Sequence, residues 1–222
     1  MGIILASSSP RRKKILEKLG YNFSIQVPDV DEKNINELNP IDYVIDVSMR
    51  KGLKVHQQYE NAFVLSGDTI VEYQNKIIGK PSSYEDAFEV LSLLSGKSHY
   101  VISALSLTYN DNQITIFDST RVWFKTLNKE EIENYINNFD VLDKAGSYNI
   151  EDAEEYFIKN IDGCYNNIVG FPEEKFLRSK IKQILDSKWF FTANIKSSEP
   201  KIISIWKIFQ KEPKLIWNIY KH

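Results

Sequence analysis

Apolar positions near the start of the chain predict a strand that runs into a helix. Residues 3–6 form a short apolar run, and the serine-rich turn after it leads into apolar residues at helical spacing that end at Gly20. Ser9 is suited to cap this helix, and Pro10 to its first position, where a missing N–H costs nothing. The chain therefore opens with a strand, a turn and a helix.

The pattern up to residue 185 predicts further strands interleaved with helices. We expect strands at residues 21–27, 62–65, 70–71, 77–78, 100–109 and 113–125, and helices at residues 44–55, 83–94, 129–139 and 173–185. Turns are predicted near residues 74–75 and at 110–112, and residues 144–170 mix short strands with turns. Helices between long antiparallel strands are typical of an α/β or α+β domain, so we predict a mixed sheet with flanking helices.

One acidic residue interrupts the most apolar of these stretches. Asp68 lies between residues 62–65 and 70–71, where a buried carboxylate costs several kcal/mol unless it is paired, bound to a metal or at an irregular strand end. Gly67 permits such an irregularity. The pattern leaves open a functional role for Asp68 and a hydrogen-bonded structural one.

Composition and charge exclude several classes of protein. The chain is 42% hydrophobic and 26% charged, as is usual for globular proteins, and 28 basic against 30 acidic residues give no positive field for nucleic acid. Cys164 is the one cysteine and only three histidines are present, which excludes a disulfide framework and a zinc cage. No secretory signal or transmembrane run is recognisable, so we expect a cytoplasmic protein.

Composition changes at residue 186. Residues 186–222 carry seven lysines and three acidic residues, a net charge of +4, and their apolar residues predict two short amphipathic helices. We therefore divide the chain into a domain at residues 1–185 and a basic C-terminal extension. The extension could pack against the domain or a dimer partner, or contact a membrane surface or another protein, and the sequence leaves these alternatives open.

The first turn contains the residues of an anion site. Ser7 and Ser9 precede a helix N-terminus, and Arg11 and Arg12 follow, so free N–H groups and two guanidinium groups come together. Phosphate is the natural ligand of such a set, although serine-rich caps with solvated arginines are also common.

Other charged residues are ambiguous when taken alone. Residues 29–32 hold three carboxylates that suit Mg²⁺ or a solvated turn. Lys80 precedes a proline in a predicted turn, and Lys51 lies on a predicted helix, where solvated lysines are ordinary. Walker-type, dinucleotide-binding and nucleophile-elbow motifs are absent from the sequence, which argues against those chemistries.

Taken together and in order, these motifs resemble the Maf family of nucleoside triphosphate pyrophosphatases over most of residues 1–185. The blocks that carry the resemblance are residues 5–12, 31–32, 67–71, 79–81, 94–96, 143–148 and 163–172. The resemblance implies an elongated mixed sheet of the Maf and ITPase type, with two lobes around a central cleft. It also implies a cytoplasmic enzyme, with a homodimer as the expected assembly. The charge balance argues against a nucleic-acid partner.

The resemblance further implies cleavage of a nucleoside triphosphate to its monophosphate and pyrophosphate, with Mg²⁺ or Mn²⁺. Asp68 would be the general base, and Arg12, Lys51 and Lys80 would neutralise charge on the phosphates. Glu32 and Asp68 would hold the metal. Ser7 and Ser9 would line the phosphate site.

The same resemblance gives conflicting indications about which nucleotide base the enzyme selects. Arg11 and Thr69 match the branch that resembles dTTP and UTP pyrophosphatases, whereas Glu151 stands where that branch has a glutamine and matches the branch acting on 7-methyl-GTP. An ionised carboxylate only accepts hydrogen bonds, whereas an amide also donates. Two positions of three favour dTTP and UTP; 7-methyl-GTP hydrolysis and a non-catalytic role in septum formation are the alternatives.

Overall fold

The computed structural model describes residues 2–31, 39–110 and 112–193, and the side chains up to residue 187. Glu32 and residues 194–222 of the extension therefore lie outside the described residues. The strands are β1 (Ile3–Ala6), β2 (Phe23–Ile25), β3 (Phe63–Tyr73), β4 (Lys76–Ile78), β5 (Ser98–Tyr109), β6 (Asn112–Phe124) and β7 (Ile158–Asp162). The helices are α1 (Pro10–Lys18), α2 (Pro40–His56), α3 (Tyr84–Leu94), α4 (Lys129–Asn138), α5 (Ile150–Tyr156), α6 (Tyr165–Val169), α7 (Glu173–Leu177) and α8 (Lys180–Ala193).

The strands form one mixed sheet, which confirms the predicted fold class. Its order is β2-β1-β3-β5-β6-β7, with β4 paired to β3. β1 is parallel to β2 and β3, and the other pairs are antiparallel. Gln74 and Asn75 adopt φ values of 53° and 61°, the left-handed conformation that a tight hairpin turn requires. The predicted turn between β3 and β4 is thus confirmed.

β3 corrects the expectation of an irregular strand at Gly67. The strand is continuous, with Gly67 opposite Leu105 and Asp68 opposite Ala104 in regular register with β5. Gly67 is needed for space, because a Cβ there would lie 2.8 Å from the Ala104 carbonyl oxygen. Asp68 therefore sits in the middle of a regular strand, and only its local partners can offset the cost of burying it.

The region after α4 holds more helix than the pattern predicted. α5 and α6 are seven and five residues long, too short to show helical periodicity in the sequence. The single helix expected at residues 173–185 is two helices, α7 and α8. Ser179 separates them, and its hydroxyl accepts a hydrogen bond from the Lys182 backbone N–H at 3.3 Å.

Helices cover both faces of the sheet. α2 packs on one face of β3 and β5 through a small apolar cluster, and the larger core lies on the other face. Because side chains alternate along a strand, Asp68 shares the α2 face with Ile70, whereas Thr69 points to the opposite face. None of the helices in the described part of the chain combines the length and the hydropathy needed to cross a bilayer.

The larger core contains a buried aromatic cluster around His99. Its imidazole Nε2 lies 2.8 Å from the Tyr148 hydroxyl, and its ring meets Phe124 edge to face with centroids 4.8 Å apart. Nδ1 has no hydrogen-bond partner among the described residues. Burial lowers the pKa of His99 from its usual 6.5 to about 3, so the folded protein keeps this ring neutral.

His99 should make the protein less stable in mild acid. Between pH 6.5 and 3 the unfolded chain binds a proton that the folded chain excludes, so stability falls as the pH falls. From pH 7 to pH 5 the loss should be about 2 kcal/mol, measured by urea unfolding. His99→Gln retains a polar group but does not titrate, so its stability should change less over that interval. Equal pH slopes for the two proteins would contradict the assignment.

Candidate active site

A cavity of about 830 Å³ opens where β3 lacks a neighbouring strand on one edge. On the side away from β5, β3 pairs with β1 through Ser66 and with β4 from Val71 onward. Residues 67–70 have no strand partner on that edge within the described part of the chain. Side chains from both faces of β3 can therefore reach one space. Binding sites commonly form beyond the carboxyl ends of parallel strands, as here beyond β1.

Asp68 and Lys51 form a nearly buried ion pair in this cavity. Lys51 Nζ donates to Asp68 Oδ1 at 2.7 Å, and the side chains are 14% and 12% exposed respectively. α2 carries Lys51 to this position because the helix packs on the face of β3 that holds Asp68. Oδ2 of Asp68 accepts no hydrogen bond from the described residues, so one carboxylate oxygen remains available to a ligand.

Arg12 joins three parts of the cavity wall. Its Nε donates to the Gly170 carbonyl at 2.8 Å, its Nη1 to the Ser7 hydroxyl at 3.1 Å and its Nη2 to the Thr69 hydroxyl at 2.8 Å. The residue is only 8% exposed. Arg12 thus connects α1, β3 and the end of α6.

The Thr69 hydroxyl belongs to a chain of buried polar contacts. It lies 2.9 Å from the Ser103 hydroxyl, which donates to the Asn167 carbonyl at 2.7 Å. The Asn167 amide in turn donates to the Val101 carbonyl at 2.9 Å. Arg12 and Ser103 both engage this hydroxyl, so Thr69 links the guanidinium to the buried polar contacts.

The serine turn has the geometry of a helix cap, as predicted. Ser9 Oγ accepts a hydrogen bond from the Arg12 backbone N–H at 3.3 Å, and Pro10 is the first helical residue. Ser7 Oγ accepts from the Ser9 N–H at 3.2 Å. Ser8 is exposed and lines the cavity together with Ser7 and Ser9. The turn and the start of α1 therefore form one wall.

Charged residues at the rim pair with one another. Lys80 Nζ lies 2.5 Å from Asp143 Oδ1, and Lys144 Nζ lies 3.5 Å from Asp140 Oδ2. The hydrogen bond from Lys80 lowers the pKa of Asp143 below its usual range. Lys80 is 59% exposed on its side chain. Solvent screens this pair, so the ammonium can exchange partners at little cost.

Glu151 and Arg11, two further predicted residues, line the same cavity. Glu151, in the first turn of α5, is exposed and lines the cavity. Arg11 Nη1 donates to the Asn149 side-chain oxygen at 2.6 Å. Sequence reasoning assigned no role to Asn149 or Asp143, although both lie at or next to residues 143–148, a block that carries the family resemblance.

The structure thus brings together most of the predicted site. Arg12, Lys51, Asp68 and Lys80 come from four separate segments and line one cavity. The other described candidates that line it are Ser7, Ser9, Arg11, Thr69 and Glu151. Glu32 lies outside the described residues.

The side chains that line the cavity can be compared with those that a divalent cation requires. Among the described residues, no group of three His, Cys, Asp or Glu side chains is placed to hold an ion. Mg²⁺ needs no such group, because it usually keeps several waters and takes one or two carboxylates together with substrate phosphates. Asp68, with one carboxylate oxygen available in a cavity of polyphosphate size, fits that chemistry.

Comparison with known proteins gives a family match and close relatives. A family model described as Maf-like protein matches residues 2–181. A dTTP/UTP pyrophosphatase of Leptospira interrogans serogroup Icterohaemorrhagiae serovar Lai (strain 56601) is 40% identical over 176 residues, covering 79% of this chain and 92% of the relative. A dTTP/UTP pyrophosphatase of Bacillus cereus (strain ATCC 10987 / NRS 248) is 41% identical over 181 residues, covering 82% and 89%.

Two solved structures of Ham1 proteins also resemble part of the chain. The Staphylococcus aureus protein has a TM-score of 0.42 and 13% identity, covering 55% of this chain and 71% of that one. The Coxiella burnetii protein has a TM-score of 0.42 and 17% identity, covering 55% and 72%.

Arg12→Lys should destabilise the protein even though it keeps the positive charge. A lysine ammonium cannot donate in three fixed directions, so buried acceptors at Ser7, Thr69 and Gly170 lose partners. The free energy of unfolding should fall by about 2–4 kcal/mol, measured in urea. Lys13→Ala changes an exposed residue of the same helix and should shift it by less than about 0.5 kcal/mol. Equal stability of both variants would contradict a connecting role for Arg12.

Proposed function

The chain belongs to the Maf family and is a nucleotide pyrophosphatase, and we propose that it hydrolyses dTTP and UTP to the monophosphate and pyrophosphate. The observation that carries the proposal is the Asp68–Lys51 pair, which places a carboxylate at a cavity with abundant cations. Six cationic side chains and four carboxylates are among the described lining residues, whereas the whole chain has a net charge of −2. A local cationic excess of this kind favours a polyanion such as triphosphate.

In the proposed reaction, Asp68 activates the attacking water. The water oxygen forms a bond to the α-phosphorus as the bond to the bridging oxygen of the leaving pyrophosphate breaks, and the water proton passes to the Asp68 carboxylate. The hydrogen bond from Lys51 to Oδ1 holds the carboxylate in place at the cavity wall.

The cations have different tasks in this proposal. Lys51 and Lys80 stabilise charge on the phosphates, and Lys80 exchanges Asp143 for substrate. Arg12 donates three hydrogen bonds to the protein, so its main contribution is to shape the site and its positive potential. Ser7 and Ser9, with the start of α1, line the phosphate site.

Asp68 and Glu32 are the residues that we propose would hold a divalent cation, Mg²⁺ or Mn²⁺. When bound, such an ion neutralises charge on the phosphate oxygens and lowers the barrier to attack.

Relatives named dTTP/UTP pyrophosphatase, at 40% and 41% identity, support the choice of base. Arg11 at the cavity wall can donate to the carbonyl oxygens of thymine or uracil. Glu151 favours a second candidate, 7-methyl-GTP, because its carboxylate accepts hydrogen bonds and suits the N–H groups of guanine.

Asp68→Asn should abolish most activity while leaving the fold intact. An amide cannot accept the water proton as a carboxylate does, so kcat for dTTP should fall by about 10²–10⁴ with little change in KM. The assay follows pyrophosphate release in the presence of Mg²⁺. Asp46→Asn, the same change on α2 outside the cavity, is the control and should retain activity. Release of orthophosphate alone by the unchanged protein would overturn the proposal.

Glu151→Gln should move the preference towards dTTP. The amide can both donate to and accept from a pyrimidine, so the ratio of kcat/KM for dTTP to that for 7-methyl-GTP should rise about tenfold. Glu155→Gln, on an exposed residue of the same helix, is the matched control. An unchanged ratio in Glu151→Gln would remove this residue from base selection.

A further inference from the structure

Asn149 has an unusual side-chain arrangement for its position. It is the N-cap residue of α5, where an asparagine oxygen normally accepts a hydrogen bond from the first turn of the helix. No such bond forms here. The side-chain oxygen instead accepts from Arg11 Nη1 at 2.6 Å, across 138 residues of sequence. The local capping bond has been replaced by a long-range contact at the cavity.

Asp152 determines which way the Asn149 amide points. The amide nitrogen of Asn149 donates to Asp152 Oδ2 at 2.8 Å. A carboxylate only accepts and a guanidinium only donates, so the amide NH₂ must face Asp152 and the amide oxygen must face Arg11. The opposite orientation would place donor against donor and acceptor against acceptor.

The backbone of Asn149 is held as firmly as its side chain. Its N–H donates to the hydroxyl of buried Tyr135 at 3.2 Å, and its carbonyl accepts from the Ala153 N–H at 2.8 Å. A side-chain oxygen on such a support can hold the guanidinium of Arg11 in one direction.

The charges around Arg11 and Asn149 indicate which part of the substrate these two residues contact. Glu151 and Asp152 lie in the first turn of α5, directly after Asn149, and Glu151 lines the cavity. Carboxylates at this position repel a triphosphate. Lys51 and Lys80, elsewhere on the lining, are the ammonium groups that we assign to the phosphates. The wall formed by Arg11, Asn149 and Glu151 is therefore suited to the uncharged nucleoside, and a guanidinium donor there prefers a carbonyl oxygen to an amino group.

We propose that Asn149, oriented by Asp152, is a positioning residue that aims Arg11 at a base carbonyl and so favours UTP over CTP. This inference rests on the proposed function. UTP and CTP share ribose and phosphates, and their bases differ in O4 against N4–H₂ and in the protonation of N3. The ratio of their kcat/KM values therefore reports recognition of the base edge.

The test measures pyrophosphate release from UTP and CTP by the full-length protein. The unchanged protein should prefer UTP, and Asn149→Ala should lower the UTP-to-CTP ratio about tenfold, mainly through KM for UTP. Asn138→Ala, an exposed asparagine outside the cavity, is the matched control and should keep the ratio. In a double-mutant cycle, Arg11→Ala should have little further effect on the ratio once Asn149 is alanine.

Exchanging the amide and the carboxylate between residues 149 and 152 distinguishes a positioning role of Asn149 from a general loss of structure. Asn149→Asp places carboxylates at both positions and should lower the ratio. Adding Asp152→Asn restores a donor opposite residue 149, and this double variant should recover most of the preference. Thermal unfolding of each variant checks that it folds.

The outcomes distinguish the inference from the proposed function. Failure of the unchanged protein to release pyrophosphate from any nucleotide would overturn the proposed function. Pyrophosphate release without a preference for UTP, a ratio unaltered by Asn149→Ala, or no recovery in the folded double variant would overturn the inference alone.

Discussion

The unpaired edge of β3 is the constraint on which the site depends. β1 ends at Ala6, opposite Ser66, and β4 begins to pair only at Val71, so among the described residues a short part of this central strand has no neighbouring strand on one edge and borders the cavity instead. Everywhere else β3 is an ordinary interior strand. A continuous neighbour at this edge would fill the space that a ligand needs, whereas the gap lets α1, α2 and the chain near Gly170 approach the strand together.

The same gap explains how a carboxylate is tolerated in so apolar a strand. Asp68 faces α2, where Lys51 offsets part of the cost of burial, and the cavity supplies access to water. On the opposite face, Thr69 and Arg12 form a network that holds the cavity wall. One regular strand thus presents a reactive group on one side and its structural support on the other.

The rim is built differently from the interior. Lys80 and Asp143 form an exposed pair that solvent weakens, whereas Arg12 is buried and bonded in three directions. Residues that must release one partner to bind a substrate lie at the exposed rim, where breaking an ion pair costs little free energy. Residues that maintain the cavity lie where a lost hydrogen bond is costly.

The sequence by itself determined most of the local elements up to α4 and the identity of the chemical groups. Apolar periodicity, the Ser9 cap and the turn at residues 74–75 act within a few residues, so their outcome could be derived without coordinates. The ordered motifs likewise indicated the family. Only the tertiary structure decided that Gly67 continues a regular strand, that Arg12 is a buried connector and that Asn149 contacts Arg11. These contacts join residues far apart in sequence, and their geometry depends on how the sheet and helices pack, which no local pattern encodes.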